Sequence, residues 1–367
     1  MQASDAGEGS REAWWSLQTG FYTRRLRAER KLNSGFSHFG STTPGLTGES
    51  KIVDRKSVAS HPMRFWCLLL TAGMVAACSG CGSLGIGNSP GSKLVPQLGH
   101  VFVVVEENHS YSEVIGNAAM PYLNSLVSQG GLATQYFANA HPSIPNYFML
   151  TTGQPITTDD NFSGTVSDDN VVRELIAAGK TWKSYAESLP AAGYTGPDAP
   201  PYLKHHNPFA YFSDVLNNSA QASNLVPFGQ LLADFANNQV PNYSFIAPNT
   251  QDDAHDCPGG ASTCSDSQKL SAADQWLQTN IGKVLQSSAF QTDGLLIIVF
   301  DESDISDMNH GGGHVAMVLL SPKAKAGFQS TTFYQHQSTL RATLEALGIA
   351  SLPGAAAGAT DMGEFFK

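Results

Sequence analysis

The sequence predicts an α/β fold, a three-layer sandwich with a mostly parallel central sheet flanked by helices. Three observations carry that prediction. The runs Gly99–Val105, Leu295–Phe300 and Val315–Leu320 are apolar without alternation, the pattern of strands buried on both faces. Segments of helical period separate these runs and the weaker strand candidates between them, as in a wound sheet. Two of the buried runs lead directly into carboxylate and amide residues, and open α/β sheets place their chemistry at the carboxyl ends of their strands.

Taken in order, residues 1–62 show no apolar period and hold an Arg-rich patch at Arg24, Arg25, Arg27, Arg30 and Lys31. They read as a non-domain leader, or as read-through upstream of a true start at Met63. Residues 63–81 combine Arg64, a short apolar run and a small-residue end, the requirements of an export signal. Val75-Ala76-Ala77-Cys78 also resembles a lipoprotein cleavage box, with Cys78 as lipidation site and point of membrane attachment; the alternative is plain cleavage near Cys78 without lipid. Residues 82–97 read as a flexible tether, 98–352 as one large domain and 353–367 as a lightly packed tail. Cys257 and Cys264, close together with glycines between them, suit a small disulfide loop in an oxidising compartment, periplasmic or extracellular.

Charge divides at the same place. Residues 1–78 hold 10 of the 21 Lys and Arg but only 6 of the 31 Asp and Glu, which leaves the remainder at a formal −14. That balance argues against a nucleic-acid partner, and a phosphorylated substrate would have to be captured by local cations against the global field.

Within the domain, Gly99–Val105 is the first buried strand and ends in Glu106-Glu107-Asn108. Pro121–Leu126 begins a helix closed by Gly130-Gly131. Ala140–Tyr147 is a stiff turn in which Ser143 lies between Pro142 and Pro145, with a helix expected after Pro145 and Gly153 to end it. Asp169–Ala178 predicts a helix capped by Asp168 or Asp169, and Thr181–Tyr185 a strand. A Pro-rich insert leads to Lys204-His205-His206-Asn207-Pro208. Phe228–Asn237 is helical, Asn242–Asn249 a strand ending in the loop Asp252-Asp253-Ala254-His255-Asp256, and Asp274–Ser287 an amphipathic helix. Leu295–Phe300 then ends in Asp301-Glu302. Asn309–His314, with three consecutive glycines, precedes Val315–Leu320, and Tyr334–Leu347 forms the last helix.

Glu107, Asn108, Asp301 and Glu302 are oxygen donors gathered at two strand ends, a set suited to one hard divalent cation, Mg, Ca or Mn in preference to Zn. Without a cation these carboxylates would repel one another. Beside that cation Ser143 would be the nucleophile, while His206 and His255 stabilise charge or protonate a leaving group.

Six ordered blocks carry a resemblance: Glu107-Asn108 with Ser110-Tyr111, His141-Pro142-Ser143 with Pro145-Asn146-Tyr147, Lys204-His205 with Asn207-Pro208-Phe209, Pro248-Asn249 with Asp253 and His255-Asp256, Phe300-Asp301-Glu302, and Gly311–His314. Together, over roughly residues 98–350, they resemble the phosphoesterase family of secreted acid phosphatases and non-specific phospholipases C, related to the alkaline phosphatase superfamily. The resemblance implies an alkaline phosphatase-like fold and a small phosphorylated substrate. It implies Ser143 as a phosphorylated nucleophile, Glu107, Asn108, Asp301 and Glu302 as metal ligands, and His206 and His255 as catalytic histidines. It also makes Asn146 an oxyanion donor and His141, Asp253 and His314 secondary site residues. The short serine block favours phosphomonoester hydrolysis. The alternatives are a phospholipase C, for which Tyr111, Phe148, Phe209, Tyr211 and Phe212 would form an apolar rim, and a surface lipoprotein that binds a phosphorylated ligand without turnover.

Overall fold

The computed structural model describes residues 94–367, so the expectations on the leader, the export signal and Cys78 lie outside the described residues. The described part of the tether is only its end, and Val95 and Leu98 there are buried in the core.

Eight strands form one sheet in the order β5-β4-β6-β1-β7-β8-β2-β9. They are β1 (His100–Glu106), β2 (Gly131–Ala133), β4 (Trp182–Ala186), β5 (Leu225–Pro227), β6 (Tyr243–Ala247), β7 (Gly294–Phe300), β8 (Met317–Leu320) and β9 (Phe328–Ser330). The strands β3 (Tyr136–Phe137) and β10 (Tyr334–Gln335) pair separately. From β5 to β7 every pairing is parallel, whereas β8 runs antiparallel to both β7 and β2. The unbroken apolar runs have the expected cause: every residue of β7, and all of β1 but His100, is buried.

The helices that flank the sheet and bear on the site are α1 (Pro121–Gln129), α2 (Ser143–Thr152), α3 (Val171–Ala177), α4 (Gln230–Ala236), α5 (Asp266–Trp276) and α6 (His336–Ala346). Helix α2 begins earlier than its sequence suggests. Pro142 is the N-cap, Ser143 the first helical residue and Pro145 the third. The first turn of a helix has no intrahelical acceptor for its N–H groups, so a proline there sacrifices nothing. Every residue of α2 is buried and α2 packs against α6. Its end is Gly153, at φ 68°, where a side chain would also meet the Pro353 carbonyl at 2.5 Å.

Three other boundaries differ. Helix α3 is capped by Asn170, whose side chain accepts from the amides of Val172 and Arg173, in place of Asp168 or Asp169. Helix α5 starts well before Asp274 because Ser265 and Gln268 form a reciprocal capping box. The chain then continues through a wide turn at Leu277–Ile281 into a further helical segment ending at Gln286. The tail is not loose: Ala356, Met362, Phe365 and Phe366 are buried, and Ala355 N–H donates to the Gly153 carbonyl at 2.9 Å. Apolar side chains in the tail close the core against the end of α2.

Candidate active site

The register of the parallel strands brings three acidic loops to one point. Glu106 is level with Phe300, and Asp301 N–H donates to the Glu106 carbonyl at 2.9 Å. On the other side of β1, Glu107 N–H donates to the Asp253 carbonyl at 2.8 Å. Glu107, Asp253 and Asp301 are therefore neighbours across the ends of β1, β6 and β7, all at most 1 % exposed. Asn108 turns the chain away at φ 50°, and its N–H donates to Asp301 Oδ1 at 3.2 Å. The start of α2 faces this group. Ser143 Oγ donates to Glu107 Oε2 at 3.1 Å and stands 3.4 Å from Asn108 Oδ1.

The donor set fits a hard cation. Asp301 Oδ2 is buried with no hydrogen-bond partner. The Asn108 carbonyl oxygen faces the carboxylates of Glu107 and Asp301, an arrangement of acceptors against acceptors. Turning the amide end for end would let it donate to Glu107 Oε2 at 2.8 Å and Asp301 Oδ1 at 3.3 Å; a cation among these oxygens satisfies them without the turn. In the protein alone, burial first, and then mutual repulsion, pushes the carboxyls of Glu107, Asp253 and Asp301 well above the usual range. A bound cation reverses that preference. Glu107, His206 and Asp253 also present ligand atoms within 4.8 Å of one another, so Glu107 is shared between an oxygen-only set and one that includes a histidine.

His206 lies between two of these carboxylates, its Nε2 3.5 Å from Glu107 Oε1 and its Nδ1 3.6 Å from Asp253 Oδ2. Burial, with the nearby His205 and His255, holds its pKa well below that of a free imidazole, so the ring is neutral. Tyr147 stacks on it, with centroids 5.1 Å apart, and donates its hydroxyl to Glu107 Oε1. His255 is the outer histidine: its centroid is 6.0 Å from that of His206, and its Nδ1 is 3.1 Å from Asp256 Oδ1. Ala254, before it, has φ 77°, which re-aims the loop so that Asp253 points inward and His255 outward. A cleft of about 420 Å³ opens there, lined by Asn108, His109, His255, Lys269 and Glu302.

The remaining expected site residues take other places. Glu302 lines the cleft beside Asn108, and its Oε2 is 3.0 Å from His141 Nδ1, a contact that raises the His141 pKa. Asn146 has no free donor for an oxyanion. Its Oδ1 accepts from the amides of Asn139 and Ala140 at 3.0 and 3.1 Å, and its Nδ2 donates to the Ala140 carbonyl at 2.7 Å, with the Pro142 carbonyl at 3.3 Å and Glu302 Oε2 at 3.4 Å also within reach. It clamps the turn that carries Ser143. His314 stacks on Tyr111 at 4.3 Å and holds the Thr134 carbonyl at 3.1 Å, a packing role. The proposed aromatic rim is absent as a rim, because Phe148, Phe209, Tyr211 and Phe212 are at most 1 % exposed. Cys257 and Cys264 form the expected disulfide.

Other residues support the site. Tyr147 was visible only as part of a motif. His336, buried at the start of α6, holds the Asp301 carbonyl at 2.6 Å and so fixes the loop after β7. The three glycines before His314 are packing residues: a Cβ on Gly311 would meet the Asn139 carbonyl at 2.1 Å, on Gly312 the Ala140 carbonyl at 2.5 Å, and on Gly313 Ser303 Oγ at 1.8 Å. They let one loop lie flat against the serine turn.

The sequence profile of the phosphoesterase family matches residues 117–349, and the chain belongs to that family. A phosphatidylinositol-3-phosphatase of Mycobacterium tuberculosis is 34% identical over 217 residues, 59% of this chain and 67% of that protein. A probable acid phosphatase of Kluyveromyces lactis is 29% identical over 254 residues, 67% of this chain and 57% of that protein. The chain thus spans little more than half the length of this fungal relative. Among solved structures, a protein in the alkaline phosphatase superfamily from Vibrio parahaemolyticus aligns with a TM-score of 0.51 at 13% identity, covering 73% of this chain and 72% of that one. The lipoteichoic acid synthase LtaP of Listeria monocytogenes gives the same TM-score and identity over 75% of this chain and 76% of its own. At such identity the likeness is one of fold, an alkaline phosphatase-like α/β sandwich.

Proposed function

We propose that this chain is an exported, metal-dependent phosphoesterase that hydrolyses phosphomonoesters through a phosphoserine on Ser143. The observation that carries the reading is the Ser143 hydroxyl at the first position of a buried helix, 3.1 Å from Glu107 within a group of under-partnered buried oxygens. Glu107, Asn108 and Asp301 would hold one hard divalent cation, with His206 or Asp253 completing the set. When bound, that cation supplies positive charge for the phosphoryl oxygens and lowers the pKa of the neighbouring hydroxyl.

The chain's own residues would act as follows. Asn146 and the triple glycine hold the serine turn rigid, so that Oγ points at the acidic group. Ser143 Oγ attacks phosphorus as its proton passes to Glu107 Oε2, the acceptor it already faces. The P–O bond to the alcohol breaks, and His255 Nε2, on the side of the ring away from Asp256, donates a proton to the leaving oxygen. Water then attacks the phosphoserine, its proton passing to His255 Nε2, while Glu107 returns its proton to Oγ as the bond to phosphorus breaks and inorganic phosphate leaves. Neutral His206 orients the Glu107 and Asp253 carboxylates. Attachment of the domain to a membrane through Cys78 belongs to the same reading.

A phosphorylated lipid headgroup is a second substrate reading. The name of the mycobacterial relative favours it, as do Ile305 and Met308, 67% and 61% exposed on the loop beside the cleft. Hydrolysis of an aryl phosphomonoester, the matching phosphodiester, a phosphatidylcholine vesicle and a phosphoinositide vesicle by the purified protein tests these readings. Monoester turnover that Ser143→Ala and a chelator each abolish is the expected result. Preference for the diester or for phosphatidylcholine would instead mark a phospholipase C, and metal binding without turnover a binding protein.

A further inference from the structure

The amide of Ile144, directly after Ser143, is already engaged by an anion. Asp160 Oδ1 accepts from Ile144 N–H at 3.2 Å, across the entrance to the ten-residue helix α2. The side chain arrives on the loop between Gly153 and Val166, where Asp159 and Phe162 close a turn with a 2.8 Å backbone hydrogen bond. Asp160 is half-buried, and among the described residues no Lys, Arg or His lies within 4.0 Å of its carboxylate. Its hydrogen bond to the residue after Ser143 places it beside the same acidic group. Beyond it lies a cleft of about 380 Å³ lined by Asn161, Asp198, Lys204 and Tyr211.

A backbone N–H beside the attacking hydroxyl at a helix start is suited to an oxygen of the transferred group. The same site holds two buried polar atoms without hydrogen-bond partners, Asp301 Oδ2 and His206 Nε2, so it is built to receive a ligand. Asp160 sits where that ligand's oxygen would sit.

We infer that Asp160 is an internal competitor for the phosphoryl group: its carboxylate occupies the Ile144 amide in the resting protein, and phosphate or a phosphomonoester must displace it. This inference rests on the proposed role of Ser143. The Asp160 carboxylate gives up the amide when the group binds and takes it back when the group leaves, so the residue weakens product retention. Phosphate then dissociates more readily from a site whose cation and helix end would otherwise hold it.

The test is calorimetric binding of inorganic phosphate to the full-length, metal-supplied protein, with Asp160→Asn and Asp160→Ala. The Asn variant removes the charge and keeps an acceptor for Ile144 N–H; the Ala variant removes both. Phosphate should bind about tenfold more tightly in Asp160→Asn, since one neighbouring charge shifts such equilibria by on the order of a pK unit. Asp160→Ala should bind at least as tightly. Equal or weaker binding in both variants, with urea unfolding midpoints unchanged, would overturn the inference and leave Asp160 as a loop anchor. Because binding is read without turnover, the two readings fail separately. Tightened phosphate in a protein that hydrolyses nothing would remove the catalytic reading and keep this one. Unchanged phosphate in an active enzyme would remove this one alone.

Discussion

Asn146 shows how much of the site's chemistry is positional. A side-chain amide that ties the backbone on both sides of Ser143 together and reaches Glu302 decides where Ser143 points. Replacing it by Ala strands two amide N–H groups and a carbonyl in a buried turn. The expected loss is about 2–4 kcal/mol of stability by urea unfolding, together with a kcat that falls more than KM changes. Tyr147 acts on the other side of the nucleophile. Tyr147→Phe keeps the ring stacked on His206 and removes the donor to Glu107. It should lower kcat about tenfold while leaving the unfolding midpoint within about 1 kcal/mol of the parent, a pairing of readouts that mere loss of packing would not produce. Glu107, Asn108 and Asp301 were recognisable from sequence because their residue types and their place after buried strands are both local facts. The commitment of Glu302 to His141 was not, since it depends on how two distant loops meet.

At the scale of elements, unbroken apolar runs identified β1, β7 and β8, but not the reversed direction of β8. Direction is set by the route of the chain between strands, which residue type does not encode. Prolines on both sides of Ser143 suggested a turn, and the helix starts there because its first turn tolerates them. The triple glycine is a packing surface for the serine turn. Gly312→Ala must push the Ala140 carbonyl away from a contact of 2.5 Å, displacing the serine turn. A loss of kcat of at least about tenfold is expected, with a destabilisation of about 1–3 kcal/mol, measured by steady-state kinetics and urea unfolding. Retention of full activity would mean that the turn is held without this loop.

For the whole molecule, a formal −14 on residues 79–367 and a buried acidic centre would favour a cation at the proposed site. Mg, Ca or Mn should raise the thermal midpoint, and Asp301→Asn should remove most of that gain; a midpoint indifferent to all three would speak against the oxygen set. Acid acts on stability through half-buried His314. Burial holds the His314 pKa below the free imidazole value, so the unfolded chain takes up that proton first. Its contribution is complete above about pH 6.5 and is lost as pH falls through that value toward the folded pKa. His314→Gln should therefore flatten the acid side of the stability curve while lowering stability near neutrality, as read by urea unfolding across pH. The overall sandwich was legible in the alternation of apolar strands and amphipathic helices. The packed tail was not, because Ala and Gly carry little signal until Met362, Phe365 and Phe366 find the core.

On the proposed mechanism Ser143 becomes phosphorylated. Acid-quenching the metal-supplied protein during turnover of an aryl phosphomonoester, followed by mass spectrometry of its peptides, tests it directly. Phosphate on Ser143, formed within the first turnover and absent after chelation or in Ser143→Ala, is the predicted result. Turnover that continues in Ser143→Ala, or that proceeds with no phosphate on the Ser143 peptide at any quench time, would contradict it.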